Sequence, residues 1–344
     1  MNQTSIDTNT NVTEFLEISD SSRISLIVCN ILLISFGILL NICVVVSGFK
    51  DVMNIDKVTQ MFILNIALTD ITIVVVSYCP MFMTLVANKW VLGSDMCFIS
   101  AHFFQKAPFI NEMLMITAVS CYRLWFLKQP QSARRSIKTK CVVWFMVGVL
   151  AVSICPSFVS IILQNEAKFD PGTLNCVIYN SRESTYVTYS LTLVFMFLVV
   201  PIVIVLFANI AILCIVVKYG CKSGKIPHKM TIITILCVCW TFLLSYVPVL
   251  VGLVLRSLHT HLPPWYNILF NQVTSIDIVA NPFIYTLTNS NFRLFMIRAC
   301  RRTADPPRVH DHQITQTNRA ATYTRSRNGK SKNGTDRALK ESLV

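Results

Sequence analysis

The chain has 344 residues, of which 53% are hydrophobic and only 14% charged, and its mean hydropathy is +0.57. Length alone would allow two soluble domains, but soluble chains carry about 25% charged residues; the apolar content excludes disorder and a collagen-like fibre, and the length excludes a miniature disulfide scaffold. The remaining class is a polytopic membrane protein, and the net charge of +13 is no nucleic-acid footprint, because Lys and Arg gather between apolar runs and in the C-terminal tail.

In chain order, residues 1–23 read as a polar outer tail without a cleavable leader, since no basic stretch precedes an apolar core. A membrane-crossing helix needs about 20 mostly apolar residues. Such runs occur at 24–49, 58–86, 97–127, 141–163, 187–217, 230–255 and 266–287. Most of the 13 cysteines fall inside these runs, where cysteine packs as a small hydrophobe. No internal repeat is evident.

Basic residues in short loops set the orientation. Lys128, Arg134, Arg135, Lys138 and Lys140 follow the third run, Lys218, Lys222, Lys225 and Lys229 surround the fifth loop, and Arg293, Arg298, Arg301 and Arg302 follow the seventh. The opposite loops are poorer, so the N-terminus is expected outside and the C-terminus inside. The sequons at Asn2 and Asn11 then lie on the glycosylated side. Residues 303–344 are polar, basic and rich in Ser, Thr and Asn, and read as a disordered cytoplasmic tail. The fold expected is all-α, a seven-transmembrane helix bundle over 24–302 in the plasma membrane.

Residues inside the runs narrow the class. The first carries Asn41 and Val44, and the second reads Leu64-Asn65-Ile66-Ala67-Leu68-Thr69-Asp70. Trp90, Gly93 and Cys97 follow in the first outer loop. The fourth run has Trp144, the fifth Pro201, and the sixth Phe242, Tyr246 and Pro248. The seventh ends Asn281-Pro282-Phe283-Ile284-Tyr285, followed by Asn291-Phe292-Arg293. With these landmarks in this order, residues 24–302 resemble a rhodopsin-like G-protein-coupled receptor.

The resemblance implies several things. Cys97 and Cys176 would form the family's outer disulfide. Tyr122, Arg123, Pro248, Asn281, Pro282 and Tyr285 would serve G-protein coupling and activation. Phe292 and Phe295 with the four arginines would form a short amphipathic helix on the inner membrane face, ending at Cys300, a palmitoylation candidate. Partners would be a heterotrimeric G protein, arrestin and receptor kinases acting on the tail, and membrane lipids. The final Glu341-Ser342-Leu343-Val344 also has the form of a PDZ-domain ligand.

The third run departs from the family, which carries an acid–Arg–aromatic triplet where this chain reads Cys121-Tyr122-Arg123-Leu124. Counting from Pro130 puts Arg123 at the family's arginine, which leaves one extra residue to be absorbed by a bulge near Pro108. Glu112 then lies near mid-membrane at the depth of Asp70 and Asp277. Three acids in low dielectric cannot all ionise without a counter-charge, so either a structural sodium ion or bound protons are expected there, with Asn41 and Asn281 joining the cluster. An acid at Glu112 also resembles odorant receptors, although the sixth run does not.

Amine receptors need an acid in the upper third run, where this chain has Phe103 and Phe104, and opsins need a lysine in the seventh, where it has Ser275. Neither ligand class is expected. His102, Phe103, Phe104, Lys106, Tyr246 and Ser275 are the expected pocket residues, with Lys106 either a counter-charge for an acidic ligand group or paired internally. There is no sign of an enzyme: no metal-spaced ligand set, nucleophile triad or glycine-rich phosphate loop. The rival reading is a seven-span ion transporter using Asp70, Glu112 and Asp277 as its path. Finally, Arg123 follows Tyr122 rather than an acid, and the start of the sixth run offers His228 and Lys229. These imply a loosely latched inactive state with raised basal signalling, which Asn209, in place of the family's tyrosine, would oppose.

Overall fold

The computed structural model of the chain describes residues 19–129, 137–163, 166–171, 174–178, 184–223, 229–257, 266 and 272–304. The glycosylation sites Asn2 and Asn11, His228 and the C-terminal tail lie outside the described residues. Contacts divide the chain into two compact units, Met1–Met296 and Ile297–Val344.

The first unit is the helix bundle. Span one is Asp20–Phe49, started by the Ser19 side chain accepting from the Ser22 N–H. Span two begins at Lys57, with Asp56 as its cap, and runs through Ile73, a π-helical turn Val74–Tyr78, and Cys79–Ala87. Span three comprises Gly93–Ile99, a π turn Ser100–Phe104, and Ala107–Lys128. Span four is Thr139–Leu163. Span five joins Ser184–Val194 through a π turn Phe195–Val199 to Val200–Ser223. Span six is Lys229–Ser257, and the described part of span seven includes Ile276–Thr288. A last helix runs Ser290–Ala304 and contains position 300.

The three π turns share one cause. Proline clashes with the carbonyl four residues before it, and for Pro80, Pro108 and Pro201 that residue is Val76, Phe104 and Phe197. Each of these sits inside a π turn. Widening the turn relieves the clash and inserts one residue. The bulge in span three therefore lies just above Pro108 and takes up the extra residue between Cys97 and Arg123.

The burial pattern is inside-out relative to a soluble protein. Trp144 is 74% and Ile162 82% exposed, while Asn41, Asp70, Glu112 and Asp277 are at most 1% exposed. Lipid replaces water on the apolar outside, and the polar groups must be satisfied within the bundle. Among the described residues, four spans are long and apolar enough to cross a membrane by that measure alone: Asp20–Phe49, Lys57–Ala87, Thr139–Leu163 and Thr188–Lys218. Span three is not among them, because it carries Lys106, Glu112 and Arg123 along with much of the site.

Candidate functional site

On the outer side, Ala167–Asp170 and Asn175–Ile178 pair as an antiparallel hairpin with Phe169 opposite Cys176. Cys176 is disulfide-bonded to Cys97 at the top of span three, with the Cα atoms 5.3 Å apart. Trp90 stacks on Phe169 and donates its indole N–H to the Gly93 carbonyl at 2.8 Å, tying the first outer loop to the hairpin. The Gln105 amide donates to the Cys176 carbonyl at 2.9 Å, so span three holds the hairpin by a second link.

Beneath the hairpin lies a cavity of about 240 Å³. Asn175 lines its top, Tyr78 and Thr274 its sides, and Phe109, Tyr246 and Glu112 its deep end. The Phe109 and Tyr246 rings meet edge-on at 5.3 Å, and the Tyr246 hydroxyl donates to Glu112 Oε2 at 3.3 Å.

Of the expected pocket residues, only Phe104 and Tyr246 line this cavity. Phe103 packs edge-on against Phe158 of span four. His102 Nδ1 is 2.6 Å from Ser160 Oγ, and Lys106 Nζ donates to the same hydroxyl at 3.2 Å and to the Ala101 carbonyl at 3.0 Å. The Ser160 proton goes to the Ser157 carbonyl, so its oxygen accepts from both neighbours. Of the two alternatives for Lys106, these bonds are the internal pairing. The π turn rotates the residues above Pro108, carrying His102, Phe103 and Lys106 toward span four. Ser275 donates its hydroxyl to the Gln272 carbonyl and stands behind the lining, beside Tyr78. Sequence reasoning missed Gln105, Phe109 and Asn175, and it did not assign Glu112 to the pocket. The position of the bulge was the signal that could have found them.

Asp70, Glu112 and Asp277 are all fully buried and close enough to interact electrostatically. Asp277 Oδ1 accepts from the Ile278 N–H, the Glu112 and Asp277 carboxyls bond each other, and Asn281 is the side chain that approaches Asp70. Hard oxygen donors suit sodium, but among the described residues no three His, Cys, Asp or Glu side chains converge to hold one metal ion. The three acids therefore interact as one buried cluster without converging on a single metal position. Asn41 is also placed differently from expectation. Its amide donates to the Gly37 and Ile278 carbonyls, both at 2.9 Å, stitching span one to span seven through backbone instead of through an acid.

At the inner end, Arg123 is 7% exposed and its Nη2 lies 2.9 Å from Oδ2 of Asp56. The approach is an ion pair without hydrogen-bond alignment, since Nε and Nη2 have no acceptor in line. The Tyr122 hydroxyl donates to the other oxygen, Asp56 Oδ1, at 3.0 Å, and that oxygen also caps span two through the Thr59 N–H. Burial alone would raise the Asp56 carboxyl, but Arg123, Thr59 and Tyr122 together hold it below the usual carboxylate range. The expectation that Arg123 lacks a carboxylate is corrected: the acid is supplied by the inner loop rather than by the residue before it. Tyr285 is buried, and Thr234 of span six donates to Thr288 of span seven at 2.6 Å.

Comparisons with known proteins agree with this architecture. The melatonin receptor type 1C of Gallus gallus is 24% identical over 296 residues, covering 79% of this chain and 82% of that protein. The melatonin receptor type 1A of Mus musculus is 25% identical over 274 residues, covering 74% of each. The squid rhodopsin crystal structure superposes with a TM-score of 0.67 at 20% identity, over 83% of this chain and 82% of that one, which speaks to fold alone. The family model described as "7 transmembrane receptor (rhodopsin family)" matches residues 40–285. The chain therefore belongs to the rhodopsin family of seven-transmembrane G-protein-coupled receptors and is a multi-pass membrane receptor, not an enzyme.

Proposed function

We propose that the chain binds an extracellular small molecule in the cavity beneath the outer hairpin and converts that binding into activation of a heterotrimeric G protein at the inner face. The observation that carries this reading is one helix with two ends. Span three lines the cavity with Phe104, Gln105, Phe109 and Glu112 and presents Arg123 to Asp56 near the inner end. A ligand that moves Phe109 or Glu112 thus acts on the element that holds the inner ion pair. The place of Ser275 argues against retinal, which needs a lysine for its Schiff base. Arrestin, receptor kinases and a PDZ protein are the further partners proposed for the tail.

The test is a G-protein activation screen in cells expressing the full chain, with small-molecule libraries and melatonin, for which the relatives are named, as the first probe. A ligand whose response disappears with Tyr246→Ala at unchanged surface expression supports the reading. Ligands that act equally on that variant place the binding site elsewhere.

A second, smaller element concerns sodium. Asp70 is fully buried with Asn281 approaching it and Asp277 and Glu112 close enough to interact, a donor set that suits one monovalent cation. Sodium titration against agonist affinity tests it: a sodium effect that Asp70→Asn removes supports the site, and indifference to sodium rejects it.

A further inference from the structure

We propose that Cys141, in the first turn of span four, carries a thioester-linked fatty acyl chain that lies in a groove between spans two, three and four. Its place in the chain separates it from Cys300, the candidate in the last helix.

The groove is a cavity of about 490 Å³, against about 240 Å³ beneath the hairpin, set between the inner halves of the three spans. Span two contributes Val58 and Phe62, span three runs along it from Ala118 to Trp125, and span four from Cys141 to Phe145. Every side chain that lines it is aliphatic, aromatic or a thiol. The span-three edge covers about 10 Å of helix, about a third of the ~30 Å hydrocarbon core, so the groove belongs to the inner leaflet. Cys121, Cys141 and Phe145 of its lining are exposed, so it opens toward lipid.

The groove by itself suits any lipid tail. The two thiols in its lining narrow the occupant, because acylation takes cysteines at the inner edge of the membrane. Cys141 meets that condition. It is the third residue of span four, Thr139–Leu163, and it follows Lys138 and Lys140, exposed cations that mark the inner boundary. Cys121 does not meet it. It lies seven residues inside the end of span three at Lys128, about 10 Å deep, and serves as wall.

In the reaction, Cys141 Sγ attacks the carbonyl carbon of an acyl thioester such as an acyl-coenzyme A. A C–S bond to Cys141 forms as the donor's C–S bond breaks, and the donor leaves as a thiol with the proton that Cys141 gives up. Nothing is oxidised or reduced. The attached chain starts at the mouth of the groove and packs against Tyr122, whose hydroxyl donates to Asp56, the partner of Arg123. A reversible modification thereby bears on the inner ion pair.

The experiment expresses the full chain with Cys300→Ala, labels the cells with an alkyne-bearing palmitate analogue, and locates hydroxylamine-labile acyl groups on peptides by mass spectrometry. The expected result is label on the peptide containing Cys141, lost on adding Cys141→Ser and kept with Cys121→Ser. Ala118→Trp fills the groove and leaves the thiol in place, and in a pulse–chase it should shorten the label's half-life several-fold. Peptides of the parent chain answer the same question should a variant fail to fold. The proposal is overturned if the Cys141 thiol is free in the parent or if the label survives Cys141→Ser. An unchanged half-life in Ala118→Trp overturns it too, by placing the acyl chain in bulk lipid. So does a sterol or free fatty acid recovered with a chain whose Cys141 is unmodified.

Discussion

Arg123 of span three finds its carboxylate on Asp56, the residue that caps span two, at 2.9 Å, and Tyr122 binds the other oxygen of the same group. One side chain thus does two jobs, starting a helix and holding Arg123. Arg123 thus has the acid that a local reading of Cys121-Tyr122-Arg123 denies it. Raised basal signalling is accordingly not expected of the parent chain. In Asp56→Asn the pair is lost and Arg123 is left buried without a counter-charge. Leaving a buried polar group without its partner costs about 1–3 kcal/mol, so basal G-protein activation at matched surface expression should rise roughly tenfold. Tyr122→Asp, which restores the family pattern, should change basal activity little, because it only sets a second acid beside Asp56. A fall in basal activity with Tyr122→Asp would show that Asp56 does not hold Arg123.

The same pair has a signed pH dependence. The Asp56 carboxyl is depressed, so its stabilisation is fully present above the unfolded carboxylate value and is lost only as pH falls through the lower folded value. In membrane preparations with the inner face accessible, basal activation should stay flat down to about pH 5. A rise beginning near neutrality would assign the latch to another group.

The seven spans were legible because lipid imposes one length and one polarity on every crossing segment, and the orientation because Lys and Arg stay on the inner side. The disulfide partners followed from the resemblance to the rhodopsin-like family. The pocket was less legible. A π turn in span three shifts every residue above Pro108 by one position, so His102 and Lys106 turned from the cavity to span four while Phe104 stayed on it. Asp56 was not legible, because nothing in Ile55-Asp56-Lys57 distinguishes a helix cap from an arginine partner; only the packing of span two on span three brings it to Arg123.

The hairpin over the cavity depends on Cys97–Cys176 and on the Gln105 bond to the Cys176 carbonyl. Replacing either cysteine by serine should lower surface expression and ligand response, and the double variant should be no worse than either single one. Gln105→Leu should have a smaller effect, about 0.5–1.5 kcal/mol of stability. Single serine variants that traffic and signal like the parent would remove the hairpin from ligand binding.

Spans two and three are joined by Asn111, whose amide donates to Asn65 at 3.0 Å and to Thr69 at 2.7 Å. Asn111→Leu keeps the size but removes both donors, leaving the Asn65 carbonyl and the Thr69 hydroxyl short of a partner. A buried group left unpaired costs about 1–3 kcal/mol, so the melting temperature in detergent should fall by several degrees. An unchanged melting temperature would mean that water replaces the amide.

Lys106 offers the sharpest separation between position in sequence and position in the fold. Its ammonium is held by Ser160 of span four and the Ala101 carbonyl, beside His102, whose ring nitrogen shares the same hydroxyl. The carbonyl contact spans the irregular turn between the π segment and Pro108, so the lysine braces the bulge that sets the register of span three. Lys106→Met keeps the aliphatic stem, which can still pack, and removes the charge and both donated bonds. The brace should weaken by about 1.5–3 kcal/mol, seen as a lower melting temperature, while agonist potency per surface receptor stays within about threefold, a difference of less than 1 kcal/mol. Ser160→Ala should repeat the stability loss in part, and the double variant should fall short of the sum because the two side chains share a bond. A large loss of potency in Lys106→Met with unchanged stability would return the lysine to the ligand.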